Sequence, residues 1–258
     1  MLSLSIVSLY EQIGHYFWPT LRILALFSTA PIFSEKNIGK KVKIGLSLFI
    51  AFLIGQNLPS VNVEIFSYDG IWLCARQIII GSAMGLTLQL IFVAVRTAGE
   101  VIGLQMGLSF ATFFDPSGGE NMPVIARILN LLVTLLFLTF NGHLWLLETL
   151  MNSFTVLPIN TLPFQANGFW SILQNANIIF YCGLMLGLPI VTLLLAINFT
   201  LGLLNRLTPQ LSIFVIGFPL TLTVGMFALS LIMYTLAPFF ERMMRTSFEN
   251  LSYILMQL

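Results

Sequence analysis

Long apolar runs, interrupted by only a few charged residues, follow one another along this chain and limit what it can fold into. They lie at about 13–33, 42–58, 71–95, 99–114, 124–151, 178–204 and 211–240, and a short amphipathic tail covers 241–258. A helix needs roughly 20 apolar residues to cross the hydrocarbon core of a bilayer, so 42–58 and 99–114 are marginal. The sequence therefore predicts an all-α fold of membrane-associated helical hairpins.

Composition agrees with this class and excludes several functions. Apolar residues make up 57% of the chain, charged residues 8%, and the mean hydropathy is +0.94, which is not the profile of a soluble domain. A net charge of +1 argues against an electrostatic surface for nucleic acid. Cys74 and Cys182 stand alone in separate apolar runs, so the sequence predicts neither a metal site nor a disulfide framework.

The charges of the connectors predict the topology. The connector 34–43 carries four lysines and one glutamate, so the positive-inside rule places it in the cytoplasm, together with the turn around Arg206. The linkers 58–70 and 152–177 have no Lys or Arg and fit the outer side. The chain is thereby divided into an N-terminal bundle (1–160), a linker (161–177) and a C-terminal hairpin with its tail (178–258).

Several charged side chains lie within or at the edges of the apolar runs. Each costs a few kcal/mol or more at bilayer depth unless it is paired or hydrated. Arg96 and Glu100 are one helical turn apart and can pair. Snorkelling or pairing within the chain explains some of these charges, and the others predict helices that face protein or water inside an assembly. The set comprises Arg22, Arg76, Arg96, Glu100, Arg127, Glu148 and, in the hairpin turn, Arg206.

Small residues recur at every fourth position in the middle of the chain. Gly99, Gly103, Gly107 and Ala111 form one such stripe, and the same spacing occurs upstream. A stripe of this kind lets another helix backbone approach closely. The partner helix can belong to the same chain or to another chain, and the spacing leaves both alternatives open.

The sequence contains no catalytic constellation. His15 and His143 are isolated, with no carboxylate or second ligand at metal spacing, and no Gly-rich phosphate loop occurs. We therefore expect a protein that is not an enzyme and that binds no cofactor.

The stretch "FFDPSGGENMP" (113–123) interrupts the apolar pattern. Its two prolines and its Gly-Gly pair cannot continue a helix. Irregular backbone is tolerated at membrane depth only where it is buried in protein or lines a water-filled cavity. Bulky side chains around it could close a narrow passage there, and Gly118 and Gly119 would let the loop move aside. An ordinary turn outside the membrane is the alternative.

Three long strings resemble a known family. They are "YFWPTLRILALFSTAPIFSEKNIGKKVKIGLSL", "VRTAGEVIGLQMGLSFATFFDPSGGENMPVIARILNLLVTLLFLTFNGHLWLL" and "GLMLGLPIVTLLLAINFTLGLLNRLTPQLSIFVIGFPLTLTVG". Together they resemble the FliR family, the T-type subunits of type III export gates. The resemblance covers nearly the whole chain in order and departs mainly at 152–177 and in the tail. "RTAGE" and "NGHLWLL" are similar to the flagellar branch rather than the virulence-secretion branch.

The resemblance implies a subunit of the flagellar type III protein export gate, located in the bacterial inner membrane at the basal body. It implies FliP-type and FliQ-type gate subunits and FlhA- and FlhB-type export components as partners, unfolded flagellar proteins as substrates, and contact with membrane lipid. Family members enter a hetero-oligomer of strongly tilted helices. The N-terminal part is similar in fold to the FliP type and the hairpin to the FliQ type.

The resemblance also implies that the central loop, 110–122, plugs the closed pore. A small-solute secondary transporter and an inert membrane scaffold are the rival functions, although no internal repeat of the kind found in transporters is visible. The implied plug positions are Phe110, Phe113, Phe114, Asp115, Pro116, Ser117, Gly118, Gly119, Asn121 and Met122.

Overall fold

Every regular element in the described part of the chain is a helix, which confirms the all-α prediction. A computed structural model describes residues 6–35, 38–59, 61, 63–108, 123–161, 163, 165–208 and 213–258. The helices are α1 (Ile6–Thr29), α2 (Lys40–Gly55), α3 (Tyr68–Gln105), α4 (Val124–Thr139), α5 (Gly142–Val156), α6 (Ala166–Asn175), α7 (Ile178–Leu207) and α8 (Ile213–Gln257).

Two helices are longer than the apolar runs that predicted them. α3 has 38 residues and joins the runs 71–95 and 99–114. It continues through the charged break because Arg96 and Glu100 lie on one face, where Arg96 Nε is 3.6 Å from Glu100 Oε1. α8 has 45 residues and includes most of the predicted tail, with Pro219 and Pro238 inside the helix. The prediction of separate segments is wrong at both places.

One apolar run is divided instead. The run 124–151 becomes α4 and α5, which are bent by 65° relative to each other. Asn141 stands at the break with φ 56°, a left-handed conformation that asparagine tolerates better than most residues. The predicted linker 161–177 is partly helical, since α6 lies within it.

Three helical segments are long and apolar enough to cross a membrane by length and composition: Tyr68–Gln105, Asn167–Leu207 and Ile216–Gln257. The bent pair of α4 and α5 is a fourth if the two helices count as one broken span. α2, with 16 residues, is not among these segments, in line with its prediction as marginal.

The chain forms two compact units, and each is discontinuous in sequence. The first comprises Met1–Gln89, Asn141–Ala176 and Thr246–Leu258, and the second comprises Leu90–Phe140 and Asn177–Arg245. The boundary between the units therefore differs from the predicted division near residue 160. That division, with its likeness to FliP-type and FliQ-type subunits, stays a prediction.

In the first unit, one face of α1 supplies much of the core. Trp18, Ile23 and Phe27 are fully buried. The first half of α3 packs closely on α1 through glycines: a methyl group on Gly81 would lie 2.9 Å from the Cβ of Ala25. Small residues thus allow the two backbones to approach, as their spacing predicts.

In the second unit, aromatic side chains join α3, α4 and α8. The ring of Phe92 lies edge-on to Phe137, with 5.6 Å between centroids, and to Phe240, with 6.0 Å between centroids. Edge-to-face pairs at this separation are favourable arrangements of aromatic rings. They fix the C-terminal half of α3 between its neighbours, and this half leads into the central loop.

Candidate functional site

The predicted plug lies outside the described residues, so the candidate site is the frame from which it emerges. The structure describes the chain as far as Leu108 and again from Pro123. We call residues 103–108 and 123–126 the loop base. Ala111 of the small-residue stripe lies outside the described part. So do all the predicted plug residues: Phe110, Phe113, Phe114, Asp115, Pro116, Ser117, Gly118, Gly119, Asn121 and Met122.

α3 ends in a glycine cap at the loop base. Gly107 has a φ of +80°, and its amide donates to Leu104 O at 3.0 Å. The amide of Leu108 donates to Gly103 O, also at 3.0 Å. These two bonds are those of a Schellman motif, in which a left-handed residue turns the chain away from the helix axis. Gly107 therefore directs the chain out of α3, a role that its place in the stripe did not predict.

The other two glycines of the stripe hold α3 against the start of α4. A methyl group on Gly99 would lie 2.6 Å from the Cα of Ala126, too close for a real side chain. A methyl group on Gly103 would lie 3.2 Å from the Cβ of Pro123. Both glycines pack within the chain, and their contacts keep the two ends of the loop side by side.

The N-terminal part of α8 packs against the loop base. A methyl group on Gly107 would lie 3.2 Å from the ring of Phe218. One on Gly225 would lie 2.7 Å from the Cγ of Met106. The N-terminal part of α8 therefore runs beside the last turn of α3, and Met106 and Phe218 provide apolar contacts next to the loop.

The charged residues predicted from the apolar runs have different surroundings. Arg96 and Glu100 form their ion pair one turn before the loop base, with side chains 39% and 41% exposed. Arg127, in the first turn of α4, and Arg206, in the last turn of α7, are exposed on the single chain. Burial of these four charges inside an assembly stays a prediction.

Arg22 is completely buried in the first unit. Its Nε donates to Gln77 Oε1 at 2.7 Å, and its two terminal nitrogens donate to the carbonyls of Ser153 and Leu157, both at 2.8 Å. Its guanidinium carbon lies 4.2 Å from the ring centre of Phe154. None of the ion pairs among the described residues involves Arg22. The cation instead satisfies carbonyls at the C-terminal end of α5, where the helix dipole favours positive charge.

Arg76 reaches the same region of the first unit. Its Nη1 donates to Asn160 O at 2.6 Å and also contacts Asn160 Oδ1. The apolar context of Arg22 and Arg76 marks them in the sequence, but their acceptors lie far away in the chain. Gln77 and Ser153 could not be identified as partners from sequence spacing alone.

Metal ligation has no support in the described ranges, where no three His, Cys, Asp or Glu side chains are grouped to hold an ion. The loop base and the preceding turn of α3 present a close backbone approach at Gly99, side-chain packing at Gly103, a capped helix end and two apolar side chains. Such a frame can hold a loop in position by packing.

Comparison with known proteins places the chain in a family. The family model described as bacterial export proteins, family 1, matches residues 13–247. The flagellar biosynthetic protein FliR of Escherichia coli (strain K12) is 55% identical over 243 residues, 94% of this chain and 93% of that protein.

Two other relatives are also similar to this chain over most of their length. FliR of Pectobacterium carotovorum subsp. carotovorum is 52% identical over 258 residues, 100% of this chain and 99% of that protein. FliR of Bacillus subtilis (strain 168) is 29% identical over 211 residues, 80% of each chain. These matches confirm the resemblance seen in the sequence. The chain belongs to the bacterial export proteins, family 1.

Proposed function

We propose that this chain is a subunit of the flagellar type III protein export gate and acts in the bacterial inner membrane at the flagellar basal body. Unfolded flagellar proteins pass through the assembled gate, and the 110–122 loop plugs the pore at rest. Membership in an export-protein family and the flagellar names of the relatives support the export role. Three segments suited to cross a membrane support the location.

The loop base is the observation that carries the role of the loop. A plug has to be anchored at both ends while its middle remains able to move. Gly99 and Gly103 bring the two ends together against Ala126 and Pro123, and Gly107 turns the chain out of α3. The sequence between these ends is rich in Phe and contains a methionine, side chains that fill irregular gaps.

The mechanism in this proposal is steric. The loop blocks the passage until substrate, together with movement of partner subunits, displaces it. No residue of the chain is assigned a catalytic role, and the energy for export comes from other components of the apparatus. FliP-type and FliQ-type subunits and FlhA- and FlhB-type components are the proposed partners.

Exposed apolar side chains on α7 and α8 support an assembly, since large exposed apolar patches mark contact with protein or membrane. They include Phe180, Tyr181, Phe199, Leu207, Phe227 and Tyr234.

Copurification in mild detergent tests membership of the gate. The chain, carrying an affinity tag and expressed with its flagellar operon, should be recovered in a stable complex with two smaller helical proteins. A secondary transporter would bind its solute as a free protein, and a scaffold would have no fixed stoichiometry. Recovery of the chain as a free monomer would count against the proposal.

A further inference from the structure

One face of α2 packs on α1, and the rest of the helix is uncovered. The buried residues of α2 are all small and four positions apart: Ser47, Ala51 and Gly55. His15 Nε2 lies 2.6 Å from Gly55 O, and a methyl group on Gly55 would lie 2.8 Å from the ring of Tyr16. The contact with α1 therefore uses the small residues of α2 other than Gly45, together with the ring of Phe52, whose centroid lies 5.6 Å from that of Tyr16.

The uncovered face of α2 consists of large apolar side chains. Interfaces between membrane helices are enriched in small residues and in polar residues that bond across the contact. The uncovered face has no such small or polar residue except Gly45, where an added methyl group would meet nothing within 4 Å. Its composition favours acyl chains over a second helix. The side chains are Val42, Ile44, Leu46, Leu48, Phe49 and Leu53, with exposed fractions between 36% and 62%.

The N-terminal turn of α2 is basic. Lys40, Lys41 and Lys43 lie there, and the helix contains no acidic residue. Positive charge at a helix N-terminus opposes the helix dipole, so the stability of α2 does not explain these lysines. None of the ion pairs in the described part of the chain involves them. Anionic lipid headgroups attract such a cluster when it lies next to a membrane-embedded segment.

The length of α2 fits a helix that enters the bilayer without crossing it. Its 16 residues extend about 24 Å at 1.5 Å per residue, less than the hydrocarbon core of about 30 Å. Lysine side chains at one end can extend toward the headgroups while their methylene groups stay in apolar surroundings. One end of α2 then lies at the headgroups, and the other ends inside the bilayer or against protein.

We propose that α2 is a lipid-binding element of this protein. Acyl chains cover the face that contains Phe49 and Leu53, and phosphate groups of anionic phospholipids bind at Lys40, Lys41 and Lys43. Partner subunits therefore attach to other faces of the chain. The inference goes beyond the proposed function, which assigns no role to α2.

Photo-crosslinking identifies what covers the apolar face. The photoreactive residue benzoylphenylalanine replaces Phe49 in the full chain, and intact cells are illuminated before the protein is purified. The expected product has the mass of the chain plus one phospholipid. The same residue at Phe227 of α8 verifies that illumination was effective. The proposal is overturned if the phospholipid adduct at position 49 is missing, whether the product is a crosslink to a protein or no adduct.

Charge replacement tests the headgroup site. The variant Lys40→Gln/Lys41→Gln/Lys43→Gln is placed in nanodiscs of phosphatidylcholine and phosphatidylglycerol in equal parts, and retained lipid is measured by native mass spectrometry. We expect a several-fold loss of retained phosphatidylglycerol with phosphatidylcholine unchanged. The control variant Arg206→Gln/Arg242→Gln/Arg245→Gln removes three exposed cations elsewhere and should retain phosphatidylglycerol. Equal retention in both variants overturns the lysine assignment.

Discussion

Arg22 stabilises the first unit through acceptors that carry no formal charge. Its hydrogen bonds reach Gln77 and the carbonyls of Ser153 and Leu157, and its guanidinium lies over Phe154. An arginine in an apolar core is costly unless its donors are satisfied. The end of α5 satisfies them here. Arg22 in return supplies a donor to the carbonyl of Leu157 and a second donor to that of Ser153, which also accepts from the Leu157 amide.

Replacement of Arg22 by Met should therefore destabilise the protein strongly. The acceptors at Leu157 and Gln77 would lose the Arg22 donor, and Ser153 would keep only the Leu157 amide, at a cost of about 1–3 kcal/mol for each group left unsatisfied. Thermal unfolding in detergent measures the change in stability. The same replacement at the exposed Arg242 is the matched control and should have little effect. Equal melting temperatures for the two variants would show that the Arg22 contacts contribute nothing to stability.

Gly107 is the second residue with a defined conformational role. Its φ of +80° costs an L-residue about 1–2 kcal/mol, so Gly107→Ala should lower stability by that amount. The control is Gly202→Ala, in the interior of α7, where a methyl group meets nothing within 4 Å and alanine is the better helix former. If Gly107→Ala proved as stable as the Gly202 variant, the glycine cap would be wrong.

At the scale of the element, the contact between α3 and α4 decides where the central loop begins and ends. It depends on close backbone approach, because Gly99 faces the Cα of Ala126. A larger side chain at this position has to move one helix away from the other. The distance between the loop ends would then increase.

Gly99→Val should therefore separate the loop ends, expose the loop to added protease and reduce export. Limited proteolysis of the membrane-embedded complex measures the exposure of the loop. Gly45→Val is the control, because it introduces the same side chain at a helical glycine with open space around it. Identical digestion patterns for the two variants would mean that the Gly99 contact does not position the loop.

Much of the secondary structure could be predicted at this scale, since apolar runs of sufficient length indicate helices. The continuity of α3 was not predicted, because the apolar runs end on either side of Arg96 and Glu100 even though the spacing of the two residues allows them to pair. The bend at Asn141 was also missed, because it depends on one left-handed residue inside an apolar run. At the candidate site, spacing identified Gly99, Gly103 and Gly107. It could not reveal that Gly107 caps α3 and meets Phe218, since that contact joins distant parts of the chain.

For the whole molecule, the features of the chain separate into three roles. Arg22 binds the C-terminal end of α5 and Arg76 binds the segment that follows it, both within the first unit, and the glycine stripe packs beside the loop base within the second. α2 offers a basic and apolar surface to lipid in our proposal. The role that we propose for residues 110–122 is mechanical: they close the pore of the assembled gate.

Ion leakage after deletion of the middle of the loop measures whether the loop closes the pore. Residues 115–121 are deleted from the chain in cells that assemble the complete gate, and the proton permeability of the inner membrane is measured, with copurification showing that the complex still forms. The control deletes only Gly118 and Gly119, which shortens the loop by two residues instead of seven. We predict a leaky membrane for the full deletion and a smaller leak for the short one. A tight membrane and unchanged export in cells with the full deletion would contradict the account.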